Sequence, residues 1–126
     1  MQFDRGSSIY IQIGEYVLSR VLSGSWEPGD RIPSVREMAV ELEVNPNTVL
    51  RSYALLQDEG VVHNKRGIGY CVDDEGVEAA RETMRDELRR RDLPEIFERL
   101  RLVGVTADEL AREYGEYLES REESDT

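Results

Sequence analysis

The sequence holds one cysteine, one histidine and one lysine in 126 residues. A lone thiol, Cys71, excludes an internal disulfide and fits a reducing compartment. Its place in an apolar, β-like stretch marks it as a buried structural thiol rather than a redox sensor. One cysteine and one histidine make no zinc-spaced cluster, and neither a Ser-His-Asp set nor a phosphate loop is present. His63 lies in a β-type run and packs or solvates it. Gly67-Ile68-Gly69 is a lone pair of turn glycines, not a dinucleotide fingerprint. Catalysis, a metal and a cofactor are therefore not expected. No apolar run approaches the roughly 18 residues of a membrane span, and no basic-then-apolar leader opens the chain. A cytoplasmic protein without a membrane partner is expected.

Charge is plentiful but of the wrong sign for phosphate. The formal net charge is −11. Residues 1–75 carry 7 basic against 12 acidic side chains, and residues 76–126 carry 9 against 15. Bulk charge repels a nucleic acid, so any such partner must meet a local basic surface. Because Lys65 is the sole lysine, the other 15 basic residues are arginines. Arginine- and acid-rich chains fit a salt-loaded host, with a GC-rich genome as the alternative cause.

Apolar periodicity sets out the elements. Tyr10, Ile13, Val17 and Val21 form one helical stripe, ended by Ser23-Gly24-Ser25 and the Trp26–Asp30 turn. Arg31-Ile32-Pro33 reads as extended. Ser34 and Glu37 have capping-box spacing and open a second helix with Val35, Met38, Ala39 and Leu42 on its apolar face. Asn45 is a good N-cap and Pro46 a good first helical residue for a third helix, which Gly60 stops. Val61–His63 and Tyr70–Val72 flank a basic, glycine-containing tip, a hairpin. After a polar break at Asp73–Gly76, Val77, Ala80, Met84 and Leu88 form a stripe. A second helix enters through Asp92 and Pro94, and a last one through the Thr106/Glu109 capping box, stapled by Val105 and Leu110. The expected fold is mainly α with a small β-hairpin. The polar break divides the chain into a first domain over residues 1–75 and a short helical domain over residues 76–126.

Two capped helices joined by a tight turn form a helix-turn-helix, whose second helix offers its first residues to base edges. On a helical wheel Val49, Tyr53 and Leu56 face inward, while Asn47, Arg51 and Ala54 face outward. Arg51 can pair with guanine, and Asn47 can read adenine or hold a phosphate. Ser34 and the first N–H groups of its helix suit an anion. Arg36 and the hairpin's Lys65 and Arg66 add positive charge, making this surface locally basic. Double-stranded DNA is the expected partner. The alternative is a winged helix used only for protein contact, which has no need of Arg36, Arg51, Lys65 and Arg66 on one surface.

The stretches YIQIGEYV, PGDRIPSVR, NTVLRSYALLQDEG and KRGIGYCV resemble the GntR family of transcriptional regulators. The resemblance implies a winged helix, usually repressing, with DNA contacts at Ser34, Arg36, Asn45, Pro46, Asn47, Thr48, Arg51, Ser52, Lys65, Arg66 and Gly67. Only about 50 residues follow the wing, too few for an enclosed metabolite pocket or enzyme domain. That shortness resembles the YtrA-like subfamily, whose helical tail dimerises. Leu93, Ile96, Phe97, Leu100, Val103, Leu110, Tyr114 and Tyr117 are the dimerisation residues, since three short helices cannot bury these stripes alone. A two-fold dimer then presents two recognition helices to a palindrome. A small-molecule effector is left unidentified, with a groove at the dimer interface its one obvious place.

Overall fold

In a computed structural model describing residues 8–125, the first stripe becomes α1, Ile9–Leu22. Ile13, Val17 and Val21 are buried on one side, as the 3.6-residue period requires. Trp26 returns edge-on to Tyr16, ring centres 6.1 Å apart, and closes the far end of the core.

Helix α2, Val35–Leu42, opens with the full capping box. The Ser34 hydroxyl accepts the Glu37 N–H at 3.1 Å, and the Glu37 carboxylate accepts the Ser34 N–H at 3.0 Å. It ends at Glu43 in the left-handed conformation, φ 57° and ψ 48°. Two residues on, the Asn45 side chain accepts the Asn47 N–H at 2.8 Å, and Pro46 starts α3, Pro46–Asp58. Val49, Tyr53 and Leu56 point into the core. Gly60, at φ 83°, turns the chain out of the helix.

The hairpin forms as expected. Strands β1, Val62–Lys65, and β2, Gly69–Val72, pair antiparallel with Val62 opposite Val72 and Lys65 opposite Gly69. Arg66-Gly67-Ile68 is left as the turn. The extended stretch after the first turn joins this sheet edge: Arg31 bridges Cys71, and the Ile32 N–H donates to the Tyr70 carbonyl at 2.9 Å. Cys71 is a buried free thiol.

Helix α4, Gly76–Glu87, completes this first unit, which runs to Asp86 rather than stopping at residue 75. Ala80 is fully buried in the core, and Val77, Ala79 and Met84 pack against it. The stripe that marked a new helix thus serves the winged helix itself, and only its last member, Leu88, is exposed.

The second unit, residues 87–126, begins with a π-helical turn, Leu88–Asp92, leading into α5, Leu93–Val103. The helix is entered through Asp92 and Pro94 as expected, with Asp92 as its N-cap already in helical backbone, φ −78° and ψ −46°. Pro94 lacks an N–H and its ring crowds the carbonyl four residues back. A wider turn relieves this, with the Leu93 N–H reaching back five residues to the Leu88 carbonyl. Gly104, at φ 77°, ends α5. Helix α6, Ala107–Asp125, follows, with Thr106 Oγ1 accepting the Glu109 N–H at 3.1 Å. Val105 and Leu110 line one hollow with Phe97 and Leu100, as a hydrophobic staple should. Leu93, Leu100 and Leu110 are half-buried, while Ile96, Phe97, Val103, Tyr114, Tyr117 and the next apolar residue of that last stripe, Leu118, are exposed, as is Leu102, which lies outside the stripes. None of the described residues of this unit is buried.

Candidate nucleic-acid interface

The caps that start α2 and α3 place the candidate residues. Asn45 spends its side-chain oxygen on the first turn of α3, so the helix begins with its N–H groups and Asn47 at the surface. Arg36, Asn45, Pro46, Asn47, Arg51, Lys65, Arg66 and Gly67 are all exposed, and Ser34 and Thr48 are half-buried. Ala54 is exposed on the same side as Arg51. Arg36 and Pro46 line one shallow hollow with Ala39, Val40 and Val44, which brings the start of α3 beside the first turn of α2.

Ser52 does not belong with them. It is 1 % exposed, and a Cβ placed on Gly14 of α1 would lie 3.4 Å from its hydroxyl. One residue of α-helix is a rotation of about 100°. With Arg51 facing outward, Ser52 is therefore turned toward α1.

The proposed anion site at Ser34 is also partly filled. The Glu37 carboxylate occupies the Ser34 N–H and accepts a 2.8 Å hydrogen bond from the Arg31 guanidinium. The Ser34 backbone N–H, then Arg31, then the Ser34 hydroxyl hold the Glu37 carboxyl down from 4.5 to about 2. An incoming phosphate would meet a neutralised ion pair there, with the Val35 and Arg36 N–H groups as the first-turn donors that helix geometry leaves over.

Two residues escaped the sequence reading. Arg31 donates through Nε to the Ile68 carbonyl at 3.2 Å while pairing with Glu37, so it ties the wing's turn to the cap of α2. Tyr10 lies under Arg51, whose guanidinium carbon is 3.9 Å from the ring centre. Neither pairing leaves a signal at short sequence spacing. Tyr10 was read only as the first, apolar member of the α1 stripe, and Arg31 only as part of the extended stretch before Pro33.

A capped three-helix unit with a basic two-stranded wing and an open polar face on its third helix is a winged helix-turn-helix, the DNA-binding module of transcriptional regulators. Residues 9–72 match the family described as bacterial regulatory proteins, gntR family. The chain belongs to the GntR family of DNA-binding transcriptional regulators. It is 36% identical over 109 residues to the uncharacterized HTH-type transcriptional regulator YhcF of Bacillus subtilis, covering 86% of this chain and 88% of that one. It is also 41% identical over 76 residues to the HTH-type transcriptional repressor YtrA of the same organism, covering 59% of this chain and 58% of the relative. A GntR family transcriptional regulator from Listeria monocytogenes superposes with a TM-score of 0.73 at 28% identity, over 90% of this chain and 98% of its own. Among the described residues no helix is long and apolar enough to cross a membrane.

Proposed function

We propose that this regulator is a repressor that binds a palindromic operator as a homodimer. The observation that carries the dimer is the second unit. None of its described residues is buried, while Phe97, Val103, Tyr114 and Tyr117 are each more than half exposed. A helical pair with so little apolar burial does not hold itself together. A second copy covering the same faces supplies the missing core, and its two-fold axis matches a palindrome. Repression follows the name of the YtrA relative, by an operator that overlaps a promoter.

In this reading α3 lies in the major groove. Arg51 makes the bidentate contact to guanine, and Asn47 reads adenine or holds the adjacent phosphate. Arg36, Lys65 and Arg66 neutralise phosphates, Asn45, Pro46 and Thr48 sit against the backbone, and Gly67 lets the wing turn come close. The anionic remainder of the chain opposes long-range approach to DNA. Near-molar KCl shortens the Debye length to roughly 3 Å, which screens that repulsion.

Selection of bound sequences from a random duplex pool, at low and near-molar KCl, tests the reading, with Arg51→Ala alongside. A palindrome recovered by the unaltered protein alone is the expected result. No enrichment at either salt from a folded dimer would sink it and favour the protein-contact role. Sedimentation at micromolar concentration tests the dimer, and Phe97→Asp with Val103→Asp should yield monomers.

A further inference from the structure

We infer that Tyr10 is a positioning residue for base reading: its ring holds the Arg51 guanidinium in a groove-ready position before DNA arrives. This rests on the reading of Arg51 as the guanine contact. The stack is built by the α1–α3 crossing. Gly14 lacks a Cβ, so α1 approaches the buried Ser52 closely. Tyr10 lies one turn earlier on the same face of α1, and side chains in a helix lean toward its N-terminus. The ring is thereby carried past Ser52 to the neighbouring Arg51, 3.9 Å from its guanidinium carbon. That is well inside the roughly 6 Å reach of a cation–π contact.

The choice of partner matters in this chain. With 27 carboxylates against 16 basic residues, an exposed arginine has many acidic groups to pair with. Among the described residues Arg51 has no carboxylate within ion-pair distance. A carboxylate would neutralise it and occupy the N–H edge that guanine needs. A ring covers only the face of the guanidinium, leaving its charge and its in-plane donors available. Holding the side chain beforehand also removes rotamer entropy that binding would otherwise cost.

The test uses the full-length protein, the duplex recovered by selection and a random duplex of the same length. Tyr10→Phe keeps the ring and should bind the operator within about twofold of the unaltered protein. Tyr10→Leu should weaken operator binding roughly three- to fivefold, with random-duplex binding unchanged. Arg51→Ala should lose roughly tenfold or more, and the Tyr10→Leu/Arg51→Ala double variant should be no weaker than Arg51→Ala. Operator affinity intact in folded Tyr10→Leu, or losses that multiply in the double variant, would overturn the positioning role alone. Arg51→Ala binding as tightly as the unaltered protein would remove the base-reading role and this inference with it. A second measurement does not depend on the variants folding. In the DNA-free protein the Arg51 Cδ protons should be shifted upfield by the ring current. Random-coil shifts there would overturn the stack.

Discussion

The Tyr53 hydroxyl, on the buried side of α3, donates a 2.7 Å hydrogen bond to the carbonyl of Pro33, the residue before the cap of α2. Its ring meets Tyr70 of the wing edge-on, centres 4.9 Å apart. One side chain therefore touches the turn into α2, the recognition helix and the sheet. Burial holds its phenol above the ordinary range, so it remains a neutral donor. Tyr53→Phe keeps the ring and strands the Pro33 carbonyl. A loss of about 1 kcal/mol in urea unfolding is expected, and an unchanged midpoint would show the bond to be idle.

Glu37 makes stability depend on acid. Its folded pKa is depressed to about 2, against 4.5 ordinarily. The stabilisation is therefore complete above about pH 4.5 and is lost as pH falls toward 2. Glu37→Gln should flatten that part of a stability-versus-pH curve and loosen the Arg31 tie to the wing. A curve below pH 4.5 identical to that of the unaltered protein would assign the acid sensitivity elsewhere.

Glu43 sits in left-handed backbone that non-glycine residues adopt at a cost of about 1 kcal/mol. Glu43→Gly should raise the unfolding free energy by about 0.5 kcal/mol or more, the gain trimmed by glycine's greater freedom when unfolded. Glu43→Val, β-branched at the same angles, should lower it. The reverse order by urea titration would mean that the turn relaxes in solution.

Gly76 opens α4 where no side chain fits. A Cβ there would lie 2.6 Å from the Val61 carbonyl oxygen and 2.9 Å from Val72 Cγ1. Gly76→Ala must move backbone, not a flexible side-chain end, and should cost about 2 kcal/mol. Wild-type stability in the variant would show that α4 is free to shift off the core.

Most of the fold was legible because its signals are local. Ser34 with Glu37, Asn45 with Pro46, and Gly60 after α3 each specify a helix end within four residues, and each end falls where those residues place it. The basic hairpin was read from its glycines and flanking β-type runs. The helical wheel correctly separated Val49, Tyr53 and Leu56 from Asn47, Arg51 and Ala54. Ser52 shows the limit of transferring a motif whole: the same wheel puts it toward α1, yet the family pattern groups it with its neighbour.

What the residues alone determined is where helices begin and end, which faces are apolar, and that Lys65 and Arg66 sit together at the hairpin tip of an acidic chain. Backbone hydrogen bonding and side-chain period are set over one or two turns, so they need no knowledge of the rest. Only the tertiary structure decided that α4 completes the first core, that Arg31 joins the wing to the cap of α2, and that Arg51 rests on Tyr10. Those relationships join residues far apart in the chain. They depend on how closely two packed elements approach, which short-range spacing does not encode.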